Sequence, residues 1–124
     1  MTVTTVGKNL VRDGTKGTTS TKLLYFAVGT DNTAPAAGNT KLGTEVFRKA
    51  VSSYTNGAST GEILVNCYLA PGDAVGVSIA EVGVFGGNAA SSAANSGVLL
   101  ARGLYSHTKT NIESITLQLD LTFA

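Results

Sequence analysis

The sequence predicts an all-β fold: an antiparallel β-sandwich or barrel of about six to seven strands, with one short helix at the N-terminus. Three observations lead there. Short runs rich in branched and aromatic residues recur along the chain, each bounded by Gly, Pro, Asn or Thr. The last run alternates cleanly, with Ile115, Leu117, Leu119, Leu121 and Phe123 set against Thr116, Gln118, Asp120 and Thr122. That period of two puts one face in a core and the other toward water or a partner. Helical spacing is confined to one stretch near the start.

Residues 4–13 make that helix, with Thr5 as N-cap, Val6, Leu10 and Val11 on one face, and Gly14 ending it. A helix this short is marginal alone and has to dock on the body. Residues 14–21 are a small-residue hinge that could serve as a contact arm. Residues 22–28 are short and apolar, as expected of a strand buried on both faces. A long loop follows to residue 43, and Pro35 keeps any helix from crossing it. Residues 44–54 fit either a helix or a strand, since Phe47 and Val51 share a face in both. The Asn56-Gly57 turn signal before the next apolar run favours a strand and a hairpin. In that next run Ile63, Val65, Cys67 and Leu69 point inward, with Glu62, Asn66 and Tyr68 opposite. Pro71-Gly72-Asp73 breaks it, and Val75, Val77 and Ile79 then alternate with Gly76 and Ser78. Residues 86–97 form a second loop made of Gly, Asn, Ala and Ser alone, and residues 98–105 resume strand character.

A chain of 124 residues is most simply one domain over 1–124, with residues 1–21 as a docking helix and arm. Charged residues make up 14% of it, against about 25% in ordinary globular chains. A net charge of +1 without a basic stripe argues against nucleic acid as a partner. A surface of small polar residues, poor in Lys and Glu, suits packing against other protein. No basic segment followed by an apolar one opens the chain, and no run reaches the length of a membrane span, so a soluble protein made in a cytoplasm is expected.

The residues for chemistry do not assemble into a recognisable pattern. His107 is the only histidine and is expected in a solvated turn, and no serine sits in a Gly-x-Ser-x-Gly elbow. Cys67, the only cysteine, reads as a buried thiol acting as a small hydrophobe. Asp31, Asp73 and Asp120 lack calcium-loop spacing, and residues 83–87 lack the Lys-Ser/Thr of a phosphate loop. No catalytic residue, cofactor or metal is therefore expected. More informative are carboxylates set inside apolar runs, because burying one without a partner is costly. Glu45 or Glu81 is expected to pair with Arg48 or Arg102 between adjacent strands, the alternative being exposed alternation positions. Glu45, Phe47 and Arg48 would fasten the fold. The two small-residue loops would supply partner contacts, with Asp31, Asn32, Pro35, Asn39, Asn88 and Asn95 as candidates.

The order of several segments resembles a family of small tailed-bacteriophage virion proteins, similar to attachment domains of tail fibres and collars. The segments are Val6-Gly7-Lys8-Asn9-Leu10-Val11-Arg12, Tyr25-Phe26-Ala27-Val28-Gly29-Thr30 and Thr33-Ala34-Pro35, then Leu42-Gly43-Thr44-Glu45-Val46-Phe47-Arg48. Ile79-Ala80-Glu81-Val82-Gly83-Val84-Phe85 and Val98-Leu99-Leu100-Ala101-Arg102 complete the series. The resemblance implies a β-rich, non-enzymatic module of the virion, assembled in the host bacterial cytoplasm. Its partners would be other virion proteins of tail, baseplate or capsid, and it would form a homo-oligomer. The chain stops at Ala124 without a stalk or receptor-binding extension, which leaves room for a small adaptor or a capsid decoration protein. A carbohydrate-binding sandwich is a further alternative, disfavoured by four Tyr and no Trp for a sugar platform.

Overall fold

Alternating strands bury one face each, so two sheets closing over a common core is the natural outcome, and the computed structural model shows it for residues 1–123. Eight strands and one helix follow in the order β1 (Thr2–Val3), α1 (Thr5–Thr15), β2 (Leu23–Gly29), β3 (Glu45–Ala50), β4 (Ser53–Asn56), β5 (Glu62–Leu69), β6 (Ser78–Gly86), β7 (Val98–Thr108) and β8 (Ile115–Thr122). One sheet has the order β1-β7-β6-β2-β3 and the other β4-β5-β8, every pairing antiparallel. The arrangement is a sandwich and not a closed barrel. Phe26, Val28, Val82 and Val84 of the larger sheet meet Val65, Cys67, Leu69, Leu117, Leu119 and Leu121 of the smaller one. The inward set expected for β5 and β8 is the observed one, except that Phe123 lies beyond β8 and is exposed.

Several boundaries differ from the sequence reading. Thr4, not Thr5, caps the helix: it is fully buried, and its hydroxyl accepts from the Gly7 N–H at 2.9 Å. The Thr4 hydroxyl also donates to the Leu99 carbonyl, while its N–H donates to that of Leu100 at 2.9 Å, tying α1 to β7. Gly14 stays inside the helix, and Gly17, at φ +79°, supplies the left-handed residue after it. The single strand expected over 44–54 is two strands in different sheets. Val51 N–H still donates to Leu24 O of the larger sheet, whereas Ser52 N–H donates to Asn66 O of the smaller one. The chain therefore changes sheets at that peptide, as corners of sandwiches do. Residues 57–61 replace the expected two-residue turn, with Gly61 at φ +74°. Val75 is half-exposed in a loop, because Ala74 and Gly76 at φ +51° and +78° cannot continue a strand.

The larger sheet is covered on both faces. On the face turned away from the other sheet, Ala27, Phe85 and Leu99 form a second apolar cluster, closed by Leu42 from the loop over residues 30–44. That back face positions the features described next.

Candidate functional site

The back of the five-stranded sheet carries two loops, residues 30–44 and 87–97, and a carboxylate–guanidinium pair holds each of them. Glu81 of β6 is fully buried and bonds Arg102 of β7 through Nε–Oε1 at 2.9 Å. The carboxylate takes three further hydrogen bonds from the first loop: Gly43 N–H to Oε1 at 2.8 Å, and Asp31 and Thr44 N–H to Oε2 at 3.1 and 2.8 Å. Arg102 returns its other nitrogens to the same loop, donating to Thr33 O at 2.8 Å and Asp31 O at 3.2 Å. The loop's ends are closed by Thr30 N–H donating to Thr44 O at 3.1 Å. Gly29 is required beside this clamp, since a Cβ there would stand 2.4 Å from Glu81 Oε2 and 2.3 Å from Thr44 O. Gly83 likewise leaves room for Leu42, which inserts over it.

The second clamp is Glu45–Arg48, bidentate at 2.9 Å for both bonds, with side chains 2% and 3% exposed. Arg48 Nη1 donates to Ser96 O and Oγ at 2.8 Å and to Ser91 O at 3.1 Å, while Glu45 Oε1 accepts from Asn95 N–H at 3.2 Å. The guanidinium also lies 4.1 Å from the centroid of the Phe85 ring, a desolvated cation–π contact. The expected pairing between adjacent strands holds for Glu81–Arg102 across β6 and β7. It does not hold for Glu45–Arg48, which lies within β3. Residues three apart on a regular strand face opposite sides. Here Val28 pairs with Phe47 and Gly29 with Glu45, so Val46 is a bulge residue and Glu45 and Arg48 return to one face. The aromatic partner is Phe85 rather than Phe47, which packs toward the main core.

The six loop residues singled out from sequence divide between internal and outward roles. Asp31 accepts from Thr33 N–H and Oγ at 2.9 and 2.7 Å, bonds that hold its carboxyl below the ordinary value. Asn39 Oδ1 accepts from Ala36 N–H at 2.9 Å, and Asn88 Oδ1 from Ser20 N–H at 3.2 Å, linking the second loop to the segment after α1. Asn95 sits at φ +61° and presents its N–H to Glu45. Asn32 is exposed, and Pro35 half-buried. Sequence reasoning missed a third tie, in the segment between β5 and β6. Asp73 bonds Lys49 Nζ at 2.6 Å and accepts from Ala70 N–H at 2.8 Å, and buried Lys109 donates to Pro71 O and Thr110 O. The Asp in Pro-Gly-Asp was a readable turn signal, but its lysine partner lies on another sheet segment.

His107 lies on β7 and not in a turn. It stacks on Tyr105, and its Nε2 is 2.8 Å from Glu113 Oε1, which holds that carboxyl low. Cys67 is fully buried, and burial pushes its thiol up to about 12. Among the described residues no three His, Cys, Asp or Glu side chains converge, and no helix is long and apolar enough to cross a membrane. Neither clamp leaves a buried side-chain polar atom without a hydrogen-bond partner, and both direct several of their bonds to loop backbone, which holds the two loops against the sheet. Compared with known proteins, the chain matches no family model, no curated protein and no solved structure.

Proposed function

We infer that this chain is a non-enzymatic structural protein of a tailed-bacteriophage virion, an attachment or adaptor module of the tail or baseplate-fibre region acting by protein–protein assembly. One observation carries the reading: two long loops of small residues are each held by a buried carboxylate–guanidinium pair on one face of a rigid sheet. Loops held this way lose little further entropy on docking, which favours recognition by preformed shape. The sequence resemblance to tail-fibre and collar attachment domains supplies the virion context. The test is to purify particles, separate heads from tails and locate the protein by mass spectrometry. Recovery with tails is the expected result. Recovery only with DNA-filled heads would overturn it in favour of a capsid decoration role.

A further inference from the structure

Among the described residues, the longest strand edge without a partner belongs to β8. The other edges are shorter or blunted: β4 has four residues, β3 carries a bulge together with Arg48 and Lys49, and two-residue β1 covers Ala101 and Arg102 of β7, leaving residues 103–108 open. By contrast, β8 pairs with β5 over eight residues without a register shift, and contains neither Pro nor Lys. Edges of this kind add another strand unless the protein prevents it.

The hydrogen-bonding parity of the edge follows from its far end. Phe123 N–H donates to Gly61 O at 2.9 Å, so odd-numbered residues turn their backbone groups toward β5. The N–H and C=O of Thr116, Gln118, Asp120 and Thr122 therefore point outward from the sheet edge. Beside this edge runs a groove of about 790 Å³, with Met1, Leu104 and Tyr105 on its opposite lip. Leu104 is 50% exposed and Met1 40%, apolar surface that an added strand would cover.

We propose that β8 pairs antiparallel with β8 of a second copy about a twofold axis at Gln118, joining two three-stranded sheets into one of six. Charge selects this occupant and this register. Centred on Gln118, each Asp120 faces a neutral Thr116 of the second copy. Centred on Asp120, the pairing would bring together two acidic clusters, since Glu62 is the diagonal neighbour of Asp120 on the same face of β5 and β8. Like charges directly opposite one another disfavour pairing. A twofold pairing also closes on itself, so the edge is consumed and cannot propagate a fibre. The proposal rests on the assembly reading above and names the surface through which the chain meets itself.

Light scattering over a concentration series, with circular dichroism of each variant, tests it. The wild-type chain is expected to be a dimer that dissociates on dilution. Gln118→Pro removes the central outward N–H without touching the β5 ladder and should raise the dimer Kd by about tenfold or more. Gln118→Lys sets two ammonium groups face to face and should weaken the dimer as well, with the fold intact. Thr116→Lys, placed opposite Asp120 of the second copy, should keep or tighten it. A wild-type monomer at the highest soluble concentration, or a dimer indifferent to both Gln118 variants, would overturn the pairing. Either result would leave attachment to a different virion protein standing, which the head–tail fractionation judges separately.

Discussion

Glu81 shows how a charge is tolerated in a sheet interior. Its two oxygens receive one guanidinium and three backbone N–H groups, so no acceptor site is left bare. The stabilisation lies less in the ion pair than in the penalty for breaking it. Removing one partner of a buried pair costs about 3–5 kcal/mol, because the remaining charge is stranded. Glu81→Ala is expected to lower stability by that order in urea titration and to free three loop amides. A change below about 1 kcal/mol would contradict the clamp, being the scale of an exposed pair. Asp73 permits a pH test. The Lys49 hydrogen bond, followed by the Ala70 N–H, depresses its pKa below the ordinary 3.8. A depressed carboxyl contributes stability that is complete above the unfolded value and lost as pH falls through the native one. The melting-temperature gap between wild type and Asp73→Asn should thus be open at neutral pH and close in acid below the ordinary value. A gap independent of pH would rule out this contribution.

At the scale of elements, the two loops are extensions of the sheet. Leu42 plugs the back-face cluster from the first loop, and burying such a side chain contributes about 1.5–3 kcal/mol. The second loop has no comparable apolar plug; its residues are Gly, Asn, Ala and Ser, and Arg48 supplies its anchor through Ser91 and Ser96. Arg48→Ala should therefore release residues 87–97 selectively. Hydrogen exchange at their amides is expected to accelerate more than at β2 or β6, and equal acceleration everywhere would show global destabilisation instead. The bulge at Val46 is the element-level device that makes this clamp possible, since it turns Glu45 and Arg48 to the same side.

At the scale of the whole molecule, Cys67 reports on the core between the sheets. It is fully buried, and its thiol is pushed up to about 12, so reagent requires both exposure and deprotonation. Labelling by a thiol reagent at neutral pH is expected to track global unfolding in urea, coinciding with the loss of far-ultraviolet circular dichroism. Fast labelling in native buffer would mean that the smaller sheet opens separately.

Much of this architecture is determined by local sequence. The alternation in β5 and β8, the buried run at β2 and the break at Pro71-Gly72-Asp73 each follow from side-chain period or backbone restriction, which act over a few residues. The short N-terminal helix is legible for the same reason, to within one residue at its cap. Identifying Glu45, Glu81, Arg48 and Arg102 as the charges needing partners required only that apolar runs disfavour lone charges. Their pairing was decided by tertiary structure. A bulge placed Glu45 on the face of Arg48, the chain changed sheets at residues 51–52, and loops distant in sequence brought their amides to Glu81. Those outcomes depend on register and on contacts tens of residues apart, where local propensity carries no information.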